Sequence, residues 1–98
     1  MMLGNIVSIV DSIVKLKLTI NINDTDNIIN YNVVFVDGNI KIVGEILSID
    51  DGYARVLLIG EIIDGLFITG FIRKPSFKST CRLIEKDELE LLLGGYYE

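Results

Sequence analysis

The sequence contains no histidine, and its 98 residues include only one cysteine and one proline. Without histidine, a chain lacks the common metal ligand and the common general base, so His-based metal sites and Ser-His or Cys-His catalysis are excluded. A lone cysteine, Cys81, excludes an internal disulfide and a cysteine-only zinc site. We therefore expect this chain to be noncatalytic, with no metal and no cofactor of its own.

Positive charge and long apolar runs are also scarce. Nine lysines and arginines stand against 14 acids, for a net charge of −5. Sequence-independent DNA binding needs a basic field, so this charge argues against it for the chain as a whole. No apolar run reaches the ~18 residues of a membrane span, and the start lacks the cationic segment of a signal peptide. These absences predict a cytoplasmic protein without a membrane partner.

Hydrophobic residues are abundant, making up 50% of the chain. A length of 98 residues fits one domain, since a single core serves roughly 100–200 residues. Such a domain buries only roughly 65% of the surface that its unfolded chain exposes. Two interpretations stay open: the surplus aliphatic side chains form a protein interface, or a β-rich core absorbs them.

Polar and apolar residues alternate strictly along Val14–Asn23, which is typical of a half-buried strand. Asn32–Val36 is uniformly apolar after its first residue, and this favours a strand buried on both faces. Asn23–Asn30 is a predicted polar loop. The predicted strands are Asn5–Val10, Val14–Asn23, Asn32–Val36, Ile40–Ile49, Tyr53–Ile63, Leu66–Ile72 and Thr80–Ile84.

Asp-Gly pairs separate the later strands at even spacing, as at Asp51-Gly52 and Asp64-Gly65. Such pairs supply the positive φ that tight hairpins need. The spacing predicts an all-β fold, a small closed or partly open antiparallel barrel of about six strands. Near Gly44 the apolar positions change from even to odd, which predicts a β-bulge at that glycine, and Gly60 is a second candidate between Ile59 and Glu61.

A short helix is predicted over Glu85–Gly95. Its leucines at 89, 92 and 93 have helical spacing, and Gly94 is a natural C-cap. We interpret its acids as a solvated face that complements the helix dipole. These acids are Glu85, Asp87, Glu88 and Glu90.

The stretch "GFIRKPSFKSTCRL" holds the only proline, the only cysteine and four of the nine cations. One interpretation is structural: Pro75 ends a strand, Cys81 points inward, and the cations offset the acids of the helix. The other is a contact for nucleic acid or a protein partner. The candidate contact residues are Arg73, Lys74, Phe77, Lys78 and Arg82.

Several stretches, in their order, resemble the N-terminal HAS-barrel domain of HerA-type ATPases, which are hexameric, FtsK-like DNA translocases. The stretches are "GNIVSIV", "VGEILSI", "LIGEI", "FITGFIRKPSFKSTCRLI" and "ELELLLGGYY", and "RKPS" at Arg73–Ser76 is the most specific piece. The resemblance implies a HAS-like barrel over residues 1–84. Residues 85–98 would then be a short helix and the start of a linker to a RecA-like ATPase domain.

The function implied by this resemblance is ring assembly as a hexamer and docking of a partner nuclease or effector, in DNA repair or antiphage defence. ATP, magnesium and most DNA contacts would belong to the motor domain, because this chain has no Walker motif. The alternative is a free-standing barrel of OB or SH3 type that binds oligonucleotide or peptide. Phe71 and Phe77 would then stack on bases between the cations.

Overall fold

A computed structural model of the chain describes residues 2–19, 31–70 and 73–94. Parts of some predictions lie outside these residues: the loop Asn23–Asn30, the ends of the second and sixth predicted strands, Phe71 and Gly95. The elements are β1 (Met2–Val10), β2 (Ile13–Leu18), β3 (Asn32–Asp37), β4 (Ile40–Asp50), β5 (Tyr53–Ile63), β6 (Leu66–Ile68), β7 (Thr80–Leu83) and α1 (Lys86–Gly94).

Six strands close into an antiparallel barrel in the order β1, β2, β5, β4, β3, β7 and back to β1. The closing pair joins β2 to β5, from Ile13 opposite Leu57 to Lys17 opposite Tyr53. The seventh strand, β6, pairs with the end of β5 outside this cylinder. The predicted all-β barrel with a short C-terminal helix is confirmed.

The Asp-Gly hairpins have the predicted backbone conformation. Asp51 and Gly52 adopt φ of 53° and 81°, and Asp64 and Gly65 adopt 51° and 75°. A two-residue turn with positive φ at both positions matches the twist of the strands it joins. These turns therefore set the registers of β4 with β5 and of β5 with β6.

The barrel interior is filled by alternate residues of the strands, as the period of two predicts. Val33, Val34 and Phe35 are all buried, so the prediction of a strand covered on both faces is confirmed. Val34 lies outside the interior cluster and is covered from the outer side of the barrel. The interior cluster comprises Leu3, Ile6, Val14, Leu16, Val33, Phe35, Ile42, Ile46, Ala54, Val56, Leu58 and Cys81.

The ladder shifts register next to Gly44, as predicted, but the change of phase within β4 itself comes three residues later. Leu47 is the extra residue, because Ile46 pairs with Val56 while Ser48 pairs with Arg55. Leu47 therefore points outward and is 39% exposed. Ile49 is the first odd-numbered residue of β4 that packs against the core. A second register shift next to Gly44 makes Ile59, on β5, the extra residue.

Gly44 is instead required by close packing inside the barrel. A Cβ at this position would overlap the side chain of Val56 and lie 3.1 Å from the carbonyl oxygen of Leu57. The end of a flexible side chain can move away from an added methyl group, but the backbone carbonyl of Leu57 is held in the sheet and cannot. The glycine therefore permits β4 and β5 to approach at the point where the ladder shifts.

We predict that Gly44→Ala lowers the free energy of unfolding by about 1–3 kcal/mol, because the added methyl overpacks the core. Urea unfolding followed by circular dichroism measures this. Gly94→Ala is the matched control, since a Cβ there meets no atom within 4 Å. Equal stability of Gly44→Ala and the parent chain would show that the core accommodates the methyl group.

Candidate functional site

The candidate contact residues divide into two groups, and the first consists of two arginines that form ion pairs within the chain. Arg73 donates from Nε and Nη2 to Glu61 Oε1 at 3.0 and 2.8 Å, and its backbone N–H donates to Oε2 at 2.9 Å. Glu61 is 4% exposed, whereas the Arg73 side chain is 49% exposed. This arrangement fastens the segment after β6 to the barrel.

Glu61 points inward because Ile59 is the extra residue in β5, which changes the phase of the residues that follow. The hydrogen bond from the Arg73 side chain lowers the pKa of Glu61 below its ordinary value, against the opposing effect of burial. The same partner raises the pKa of Arg73. Glu61 is a residue that the sequence analysis missed, and only its place in "GE" beside a bulge glycine marked it.

Arg82 points outward from β7, as predicted, and binds the helix. Its guanidinium donates to both oxygens of Glu88 at 2.7 Å each. Lys41 Nζ donates to Glu88 Oε2 at 3.0 Å, and the backbone N–H of Glu85 donates to Oε1, also at 3.0 Å. The sequence predicted that cations of this stretch neutralise acids of the helix, and the ion pair of Arg82 with Glu88 does so. Lys41, from β4, is a second cation at the same glutamate.

The interpretation of Glu88 as part of a solvated face was wrong, because this residue is only 3% exposed. The hydrogen bonds of Arg82, with smaller contributions from the Glu85 backbone and Lys41, lower the pKa of Glu88 to about 2. A signal for its burial was present, since Glu88, Leu91 and Leu92 share i, i+3, i+4 spacing. Glu85, Asp87 and Glu90 are exposed, as predicted.

The burial of Glu88 turns two leucines of the helix toward solvent. Leu89 is 36% exposed and Leu93 is 51% exposed, whereas Leu91 and Leu92 are half-buried. The leucines at 89, 92 and 93 therefore do not form one packed stripe. Leu89 also borders a groove of about 300 Å³ whose other lining residues are Tyr31, Asn32, Leu83 and Ile84.

The second group of candidate contacts, Lys74, Phe77 and Lys78, lies exposed on the segment before β7. Phe77 is 62% exposed. Ser76 stabilises the turn that carries Phe77. Its hydroxyl accepts a hydrogen bond from the Lys78 N–H at 3.2 Å and donates one to Asp37 Oδ2 at 3.0 Å. Two of the five candidate residues, Arg73 and Arg82, are therefore engaged in ion pairs within the chain. The other three form a small exposed group of two lysines and one phenylalanine.

Cys81 faces the barrel interior and is buried, as predicted. Burial raises the pKa of its thiol to about 12. A thiol with so high a pKa is protonated at neutral pH and is a poor nucleophile. Cys81 is a core residue.

Within residues 2–19, 31–70 and 73–94, no three acidic or cysteine side chains converge in a way that suits a metal ion. Over the same residues, no helix has the length and apolar character needed to cross a membrane. Among known proteins, no family description and no curated protein matches the sequence.

We predict that Glu88→Gln lowers the free energy of unfolding by about 1–3 kcal/mol at neutral pH, because it leaves the half-buried Arg82 guanidinium without its charged partner. Urea unfolding provides the measurement. Glu90→Gln, the same change at an exposed position of the same helix, is the control and should be nearly neutral. Equal losses for the two variants would contradict the structural role of Glu88.

Acid should weaken the fold through the same residue. The folded-state pKa of Glu88, about 2, lies below its ordinary value of 4.5. A depressed folded-state pKa contributes stability that is present above the ordinary value and lost as the pH falls toward the folded value. We predict that the free energy of unfolding decreases between pH 4.5 and 2, and that Glu88→Gln makes this decrease shallower. Parallel pH profiles for the two proteins would contradict the assignment.

Proposed function

We propose that this chain is a noncatalytic assembly and docking barrel, of the kind found at the N-terminus of HerA-like DNA-translocating ATPases. Its role is to hold subunits together and to dock a partner nuclease or effector. The observation that carries the proposal is the orientation of α1, which buries Glu88 against the barrel and leaves Leu89 and Leu93 exposed to solvent. An exposed apolar patch beside a groove is typical of a protein interaction site.

The helix is the main element of this proposed surface. A nine-residue helix is marginal on its own in water, so most of its stability comes from packing on the barrel. Glu88 fixes which side faces the barrel, and Leu89 and Leu93 consequently face away. The groove between Tyr31, Leu83 and Leu89 extends this apolar area toward β3 and β7.

Strand β6, which lies against α1, also supports the proposal. Among the described residues, β6 pairs with β5 and with no other strand, so its outer edge is not part of the sheet ladder. Ile63, Leu66 and Ile68, in or beside this hairpin, are 42%, 62% and 41% exposed. A free edge with apolar neighbours is a template to which a partner adds a strand.

In the full-length protein, this proposal assigns the barrel to a homohexameric ring in the cytoplasm. A RecA-like domain would then bind ATP and magnesium and make the main DNA contacts. The barrel would contribute subunit contacts and the docking site for the partner, in DNA repair or antiphage defence.

The alternative function is binding of oligonucleotide or peptide by a free-standing barrel. The observation that favours it is the exposure of Phe77 between Lys74 and Lys78, since an aromatic ring between cations suits stacking with phosphate contact. Arg73 and Arg82, however, already form ion pairs within the chain. Salt-dependent binding of single-stranded DNA that is lost in Phe77→Ala would favour this alternative.

We predict that the chain self-associates in solution and that Leu89→Ser with Leu93→Ser weakens this association. Sedimentation velocity over a range of concentrations measures both effects. Phe77→Ser is the matched control, because Phe77 is also an exposed apolar residue but lies outside the helix, on the segment before β7. A chain that stays monomeric at every concentration would contradict an assembly role for the barrel.

The gene provides a separate check on the HerA-like assignment. We expect the reading frame beyond Glu98 to encode a Walker A motif, with its phosphate-binding lysine, within a few tens of residues. A stop codon at that point, or an unrelated domain, would contradict the assignment while leaving the self-association result intact.

A further inference from the structure

The outer surface of β1, β2, β5 and β4 carries an unusual arrangement of cations. The registers place Ser8, Lys15, Arg55 and Ser48 side by side in one row across the four strands. The next row contains Asn5, Lys17, Tyr53 and Asp50. We call the surface formed by Lys15, Lys17, Tyr53 and Arg55 the basic face.

Two like charges oppose each other directly on the basic face. Lys15 and Arg55 are cross-strand partners, and like charges at such positions destabilise a sheet. Lys15 Nζ lies 4.6 Å from the centre of the Tyr53 ring, which offsets part of this cost. None of the salt bridges among the described residues involves Lys15, Lys17 or Arg55. An acidic partner would therefore relieve the repulsion between Lys15 and Arg55.

Acids also border this surface and limit what it binds. Asp50 and Asp51 line one hollow beside Lys15 and Arg55, and Asp11 lines a second hollow beside the same two cations. A polyanion such as DNA would meet these carboxylates as well as the cations. A compact partner that carries one or two acids among apolar residues can contact Lys15 and Arg55 without bringing its own charges close to these aspartates.

An apolar row adjoins the basic face. Val10, Ile13 and Leu57 are side by side on the outer surface of β1, β2 and β5. Val10 is 64% exposed, and the other two are half-buried. Cations beside an apolar strip suit a helix that carries acids beside leucines.

The outward side of α1 has this composition. Its outward stripe, at i, i+3, i+4 and i+7, consists of Lys86, Leu89, Glu90 and Leu93, and Asp87 lies beside it, so two acids stand against one lysine there. Asp87 and Glu90 are exposed. Leu89 and Leu93 are one helical turn, about 6 Å, apart. The apolar row crosses three strands, which span about 10 Å, so both leucines fit on the row when the helix lies across the strands.

The two surfaces lie on different sides of the barrel. Going round it, β2 and β5 are neighbours on one side, and β7 and β3 are neighbours on the opposite side. The helix is fastened to β7 and β4 through Arg82 and Lys41 and also lies against β6, which pairs with the end of β5 beyond the basic face. Each copy thus has one surface of each kind, which is the condition for a head-to-tail contact that builds rings or open rows.

We propose that the outward side of α1 in one copy binds the basic face of the next copy. Leu89 and Leu93 would pack on the row of Val10, Ile13 and Leu57, while Asp87 and Glu90 pair with Lys15 and Arg55. This inference rests on the proposed assembly function and specifies its contact. Symmetric pairing of two basic faces brings like charges together and is disfavoured. Pairing of two helices would set Lys86 of one copy against Glu90 of the other, and the variants below distinguish it because it does not involve Lys15 or Arg55.

Reciprocal charge reversal tests this contact. Lys15→Glu with Arg55→Glu, and separately Asp87→Lys with Glu90→Lys, should each weaken self-association at least about tenfold in sedimentation velocity. A mixture of the two variants should associate again, because each supplies the surface that the other has lost. Increasing salt should weaken association of the parent chain and of the mixture alike.

Lys74→Glu with Lys78→Glu is the matched control, since it makes the same charge change on another exposed segment. Circular dichroism of each variant establishes that it is folded, and Lys15→Gln with Arg55→Gln serves if the glutamates unfold the sheet. Association that persists unchanged in both reversed variants, or a mixture that fails to recover, would overturn the contact while leaving assembly in place. A parent chain that never associates would overturn assembly itself.

Discussion

The buried carboxylate of Glu88 is the interaction on which the arrangement of the C-terminal part depends. It receives hydrogen bonds from Arg82 on β7, from Lys41 on β4 and from the backbone of Glu85 just before α1, so two strands and the helix meet at one group. Buried ion pairs add little net stability compared with apolar packing, because desolvation offsets the attraction. The consequence of this cluster is therefore orientation: it determines which side of α1 faces the barrel and which side carries leucines into solvent.

Closure of the barrel has a second consequence for the surface. Joining β2 to β5 removes the edges of those strands and brings Lys15 opposite Arg55 on the outside. The closed cylinder also separates this face from the helix, which is fastened to β7 and β4 and lies against β6. A small barrel with one acidic, leucine-bearing helix and one distant basic face has the two unlike surfaces that head-to-tail assembly requires.

Local patterns predicted most of the fold, whereas contacts between distant residues determined the candidate site. Strict alternation in β2 and the Asp-Gly turns predicted strands and hairpins, because both depend on neighbouring residues. The inward positions of Glu61 and Glu88 depend on a bulge at Ile59 and on cations from β4 and β7. A single sequence does not show such pairings, and an acid in a helix is ordinarily solvated. The bulge in β4 was predicted three residues too early, at Gly44 instead of Leu47, for the same reason.

Cross-linking between copies tests the central claim that α1 of one copy binds the basic face of another. Val10→Cys and Leu93→Cys each add an exposed thiol, while the native Cys81 is buried and has a pKa of about 12. When the two variants are mixed under mild oxidation, the account predicts a disulfide-linked heterodimer in preference to either homodimer. Homodimers of Leu93→Cys as the main product would show that two helices pair with each other, and would contradict the account.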